Sequence, residues 1–138
     1  MNNTFLSNSN YSTKKWYIID ATNKSVGRLS TLISKILQGK HKVDYNPSIN
    51  VGDYIIIINA EKVIFDSSKI KYHVYKPGKP GSALKRVINR SPQKVIEDTV
   101  KNMLPKGLRS LIPKRLRIYN SSNHPHLAQN PVVFNLEK

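Results

Sequence analysis

The sequence predicts a single α/β domain, and three observations carry that expectation. Two strand-like runs, Trp16-Tyr17-Ile18-Ile19-Asp20-Ala21 and Tyr54-Ile55-Ile56-Ile57-Ile58, flank a segment in which Val26, Leu29, Ile33, Ile36 and Leu37 recur at helical spacing. The chain has 138 residues, about one domain by ordinary size and long enough to bury a core. Its hydrophobic fraction of 38% is above that of a chain that stays disordered, and the Ile-rich runs give it something to bury.

Taken in order, residues 1–15 are rich in Asn and Ser and read as a flexible N-terminal arm, with neither an apolar signal core nor an Arg-rich transit pattern. The run from Trp16 is apolar and aromatic and ends in a polar turn, as a short strand does. Ser25 is placed to cap the helix that follows, and Gly39 stands where a C-terminal glycine is expected. Gly27 falls in the first turn, where a missing side chain lets another backbone come close. Tyr54 to Ile58 is continuous and β-branched, which fits a central strand covered on both faces. Strand, helix and buried strand make a βα unit with a right-handed crossover.

Ile70 to Lys76 alternates loosely as a third strand, and Pro77-Gly78-Lys79-Pro80-Gly81 is a rigid loop. Leu84, Val87 and Ile88 suggest a short helix. A better one opens at Ser91 with Pro92 in its first position, where the missing N–H costs nothing. Its inner face is Val95, Ile96, Thr99, Val100 and Met103, and Pro105 stops it. Leu108, Leu111 and Ile112 suggest one more short helix, ended by Pro113. Leu116 to Tyr119 is the last strand. Residues 16–119 are thus the folded domain, and the polar, Pro-interrupted tail 120–138 is expected to lie over the surface.

Charge sets the class of partner. There are 23 Lys+Arg against 8 Asp+Glu, a formal net charge of +15, and such self-repulsion is relieved by a polyanion. The cations gather in three clusters on loops and helix ends: Lys40-His41-Lys42; Lys76, Lys79, Lys85, Arg86 and Arg90; and Lys106, Arg109, Lys114, Arg115 and Arg117. Tyr45, Tyr72, Tyr75 and Tyr119 lie among them, where they can stack on exposed bases, so RNA is preferred over DNA. No helix-turn-helix, zinc-finger or zipper pattern is present. No apolar stretch approaches the roughly 20 residues that cross a bilayer, and no amphipathic membrane helix stands out, so no membrane partner is expected.

Catalytic chemistry finds little support. With no cysteine, disulfides and thiolate metal sites are excluded. His124-Pro125-His126 is a close pair without a third ligand or helical spacing, so no metal or other cofactor is expected. Asp20, Asp53 and Glu61 fall near strand ends, where catalytic carboxylates occur in α/β folds, but Asp after a strand is also an ordinary turn former. The Pro/Gly loop has neither a Walker pattern nor a dinucleotide fingerprint, so no small-molecule substrate is expected.

An ordered set of motifs carries a resemblance. Trp16 to Ala21, Gly27-Arg28-Leu29, Gly39-Lys40-His41-Lys42, Tyr45-Asn46-Pro47 and Gly52-Asp53-Tyr54 are followed by Met103-Leu104-Pro105-Lys106-Gly107, Leu116 to Tyr119 and His124-Pro125-His126-Leu127-Ala128-Gln129. In this order and spacing, from Trp16 to Pro131, the chain resembles the bacterial-type large-subunit ribosomal protein L-thirteen family. The resemblance implies a three-layer α/β/α domain around a small, mainly parallel sheet, with extended N- and C-terminal segments. It also implies a structural, non-enzymatic protein that binds large-subunit ribosomal RNA early in assembly, with neighbouring ribosomal proteins as further partners. Contacts to RNA or subunit are carried onto Gly39 to Lys42, Met103 to Gly107 and His124 to Gln129. The chain departs from the family pattern at Asp66 to Lys69, at Ser82, at Ser121 and between Gly107 and Pro113.

Lys, Ile and Asn make up roughly a third of the chain, far above ordinary usage. Their A/T-rich codons, with the bacterial-type motifs, point to a ribosome in the plastid stroma, the alternative being a bacterial cytoplasm. The competing functions are a free regulatory RNA-binding protein and an RNA-processing enzyme built on Asp20, Asp53 and Glu61.

Overall fold

The computed structural model describes residues 14–66 and 91–134. Strand β1 (Trp16–Asp20) leads into helix α1 (Val26–Gln38) and strand β2 (Tyr54–Ile58), followed by a 3-10 turn at Ala60–Lys62. Then come α2 (Pro92–Met103), a 3-10 stretch at Lys106–Leu111, α3 (Ile112–Arg115), β3 (Leu116–Ile118) and β4 (Val132–Val133). The strands form one sheet in the order β3-β2-β1-β4, parallel at every pairing. This is the small parallel sheet of a single α/β domain.

β2 lies inside the sheet, as its unbroken apolar run requires, and Ile55, Ile56 and Ile57 are all fully buried. Alternation along the strands divides their side chains between two faces. Ile19, Ile55 and Ile57 join Leu29, Ile33, Ile36 and Leu37 of α1 and Ile96 and Val100 of α2 in one apolar core. Each such side chain taken from water contributes about 1.5–3 kcal/mol. Of the opposite face, Trp16 and Tyr54 are register partners whose rings stack at 4.5 Å, and His126 stacks on Trp16 at 5.5 Å. This aromatic stack lies on the face of the sheet away from the two helices.

The helix ends follow their sequence signals with two differences. Gly39 ends α1 in the left-handed region at φ 79°. Its N–H donates to Ile36 O and that of Lys40 to Lys35 O, each at 3.0 Å, which satisfies carbonyls that the helix leaves open. Ser25 caps by position alone, its carbonyl accepting from Leu29 N while its hydroxyl makes no cap bond. Gly27 is not the site of close approach, since a methyl there would meet nothing within 4 Å; at Gly52 it would stand 1.7 Å from Leu37 O. Pro113 opens α3 instead of ending the turn before it, because a residue without an N–H is tolerated in a helix's first turn.

The segment after Asn120, expected to lie over the surface, adds a strand. Val132 and Val133 pair with Tyr17 and Ile18, and Phe134 N donates to Ile18 O at 2.9 Å. Two residues after a proline carry no readable period, and the open edge of β1 supplies the pairing. The expected strand Ile70–Lys76, the Pro/Gly loop and the helix around Leu84, Val87 and Ile88 lie outside the described residues.

Candidate nucleic-acid interface

The end of α1 and the entry to β2 are locked together at the amino ends of the strands. A side chain on Gly39 would run into Val51 Cγ2 at 2.7 Å, and one on Gly52 into the Leu37 carbonyl. Asp53 N donates to Ile36 O at 3.3 Å across the same junction. Glycine at both positions therefore lets the turn carrying Lys40, His41 and Lys42 sit directly against Asn50 to Asp53.

Asp53 is the centre of that junction and is fully buried. Its Oδ1 accepts from Lys42 Nζ at 2.6 Å and from the backbone N–H of Lys15 at 3.0 Å. Its Oδ2 lies 3.0 Å from His41 Nε2 and makes no formed hydrogen bond, so that contact is an ion pair when the ring is protonated. Lys42 Nζ also donates to Val51 O at 2.9 Å. From the far side Arg115 donates through Nη1 to Asn50 Oδ1 and, at 3.2 Å, to Gly52 O, with its guanidinium 5.9 Å from the Tyr54 ring centre. Burial, then the neighbouring charges of Arg115 and Lys42, hold the Lys14 ammonium below its ordinary value. Burial, then Asp53, pushes the Tyr17 phenol up. His41 and Lys42 thus pair with one carboxylate, while Lys14 lies within its field and Arg115 holds the adjoining Asn50–Gly52 turn, so positive charge is in excess around it.

The candidate residues separate by position. Lys40, Lys106, Lys114 and Arg117 are exposed and face solvent. His41 and Lys42 are 30% and 25% exposed and anchored on Asp53. Arg109 is half-buried, its Nε donating to Leu104 O at 3.1 Å. Arg115, expected in the contact surface, is only 5% exposed and supports the Asn50–Gly52 turn from within. A guanidinium with five donors satisfies turn carbonyls better than any residue that could replace it, which is why it is drawn inward. His124 Nδ1 accepts from His126 N at 3.3 Å, and His126 Nε2 lies 2.8 Å from the Tyr119 hydroxyl. Those contacts tie the two imidazoles to the fold. Lys76, Lys79, Lys85 and Arg86 lie outside the described residues.

The three acids do not share one place in the fold. Asp20 sits at the carboxyl end of β1 and Asp53 at the amino entry to β2, opposite ends of a parallel pair. Asp20 Oδ1 accepts from Thr22 N, Thr22 Oγ1 and Asn59 Nδ2 at 2.9, 2.7 and 3.0 Å, which makes it a turn former. Glu61 is exposed on the 3-10 turn. Among the described residues no group of three His, Cys, Asp or Glu is placed to hold a metal ion, and no helix is long and apolar enough to cross a membrane. Sequence reading missed Asp53 as the organiser of the cations, although the Gly52-Asp53-Tyr54 motif marked the position.

A small parallel α/β domain with a local excess of cations around Asp53, at the amino ends of its strands, has a surface suited to docking on a polyanion. A family model for ribosomal protein L13 matches residues 14–125, and the chain belongs to that family. It is 45% identical over 133 residues to large ribosomal subunit protein uL13c of Trieres chinensis, with 96% of each chain covered. It is 43% identical over 140 residues to uL13 of Caldicellulosiruptor bescii, covering 96% of this chain and 99% of the relative. With uL13 of Blochmanniella pennsylvanica the identity is 46% over 141 residues, covering 97% and 98%.

Proposed function

We propose that this chain is a structural constituent of the large ribosomal subunit, where it binds ribosomal RNA and supports early assembly without catalysis. The observation that carries the reading is the extent of the kinship: relatives named as large-subunit proteins align over 96% of the chain. The mechanism follows from the geometry. A rigid sheet presents Lys40, Lys106, Lys114 and Arg117 to solvent, and phosphates placed against them release counterions. Asp53 holds His41 and Lys42 in one arrangement, so less conformational freedom is lost on docking. The placement of Asp53 at the end of the strand pair opposite Asp20 and the engagement of Asp20 in a turn support a non-enzymatic role. The composition and the uL13c relative favour a plastid ribosome, with a bacterial one as the alternative. Exposed Leu127, Val132 and Val133 suit a neighbouring ribosomal protein.

Sedimentation of the tagged protein through a native lysate, with a parallel high-salt wash, tests this reading. The protein is expected to travel with large subunits and assembled ribosomes through the wash. Lys106→Glu combined with Lys114→Glu, both on exposed side chains, should reduce incorporation and flatten the salt dependence of rRNA binding. A slow-sedimenting pool, with ribosomes lacking the protein, would instead identify a free RNA-binding protein.

A further inference from the structure

The loop after the Gly39–Lys42 turn and the stretch after α2 enclose a groove of about 360 Å³. Tyr45, Pro47 and Ile49 line one side, Pro105 and Leu108 the other. Tyr45 is 37% exposed, so its ring is half available. The groove is apolar in its walls, with polar groups of a particular kind. Asn46 Oδ1 accepts both Ser48 N at 3.0 Å and Ser48 Oγ at 2.8 Å. Asn50 Oδ1 is held by Arg115. Asn46 Oδ1 has both lone pairs engaged and Asn50 Oδ1 one of its two, which leaves the NH2, a donor, as the group each amide chiefly offers an occupant. Lys106, exposed beside Pro105 and Gly107, puts a cation at the rim.

We propose that this groove receives one unpaired base of the ribosomal RNA, stacked on Tyr45 and presenting an acceptor edge to Asn46 and Asn50. The proposal rests on the RNA-binding reading above and adds to it a defined subsite. The volume is that of a small-ligand pocket. An apolar slot with an aromatic wall and a flanking cation is the combination that holds a splayed-out base and its phosphate. Two offered amide donors favour an edge with adjacent acceptors, such as O6 and N7 of guanine. A protein side chain in the same slot would leave both the donor pattern and the rim cation without a role.

Binding of the full chain to large-subunit rRNA of its own source, measured as Kd over a salt series, tests the subsite. Tyr45→Ala should weaken binding about 5- to 150-fold, the range for loss of one base–aromatic stack, with the salt slope unchanged. Tyr45→Phe should bind like the unsubstituted chain. Gly107→Phe adds a bulky ring at the groove wall, from a position where an added Cβ meets nothing within 4 Å, so it should fold normally and still lose affinity. Thermal unfolding of each variant checks the fold. Affinities of Tyr45→Ala and Gly107→Phe equal to the unsubstituted chain would overturn the proposal, as would a loss accompanied by a shallower salt slope. Failure of the unsubstituted chain to bind this RNA at all is a separate outcome, and it overturns the RNA-binding reading itself.

Discussion

Two aspartates stand at opposite ends of the same parallel strand pair, and their surroundings have almost nothing in common. Asp53, at the amino end, is fully buried and meets Lys42, His41 and the Lys15 N–H. Asp20, at the carboxyl end, is exposed and meets neutral donors from Thr22 and Asn59. The difference is one of task. A buried carboxylate among cations fixes where positive charge is held, whereas an exposed carboxylate among hydroxyl and amide donors only shapes a turn. Residue type does not separate the two; what surrounds each does.

The contrast can be broken most forcefully at the buried end. Asp53→Ala leaves Lys42 without its counter-ion, His41 without its neighbour and Lys15 N without its acceptor, and should cost about 3 kcal/mol or more, read by urea unfolding. Gly39→Ala forces a side chain into the left-handed region and against Val51, with an expected loss of about 1–2 kcal/mol in the same assay. Asp20→Asn is the mildest, within about 0.5 kcal/mol at neutral pH. Its signature lies in acid. Burial alone would raise the Asp20 carboxyl, but hydrogen bonds from Thr22 and Asn59, with the charge of Lys62, outweigh it and hold the group below its ordinary value. A depressed folded value means stability that is present above the unfolded value of about 3.9 and lost as pH falls through the folded one. Unfolding followed below about pH 4 should therefore show a shallower decline in Asp20→Asn than in the unsubstituted chain.

Much of this architecture was legible before any coordinates. β1, α1, β2 and α2 announce themselves through period and length, and Gly39 and Pro92 mark helix ends because their backbones allow little else. What escaped reading depends on contacts between distant residues. The Trp16–Tyr54–His126 stack exists only once a register is chosen and a later segment has folded over it. Arg115 looks, in sequence, like its neighbours Lys114 and Arg117, yet it is turned inward by Asn50 and Gly52, more than sixty positions earlier. Val132-Val133 is too short to read as a strand until β1 offers it an edge.

That last strand has a consequence for synthesis. β1 is among the first described segments to be made, but among the described residues one of its edges is matched by a strand near position 132. While the chain is being translated, β1 can zip to β2 and pack beneath α1, yet its other row of backbone donors and acceptors must wait for over a hundred later residues. Until then that edge is an open invitation to any passing strand. The finished molecule is latched by one of its latest parts, so a nascent or truncated chain that stops short of Val132 differs from the finished one in stickiness more than in core.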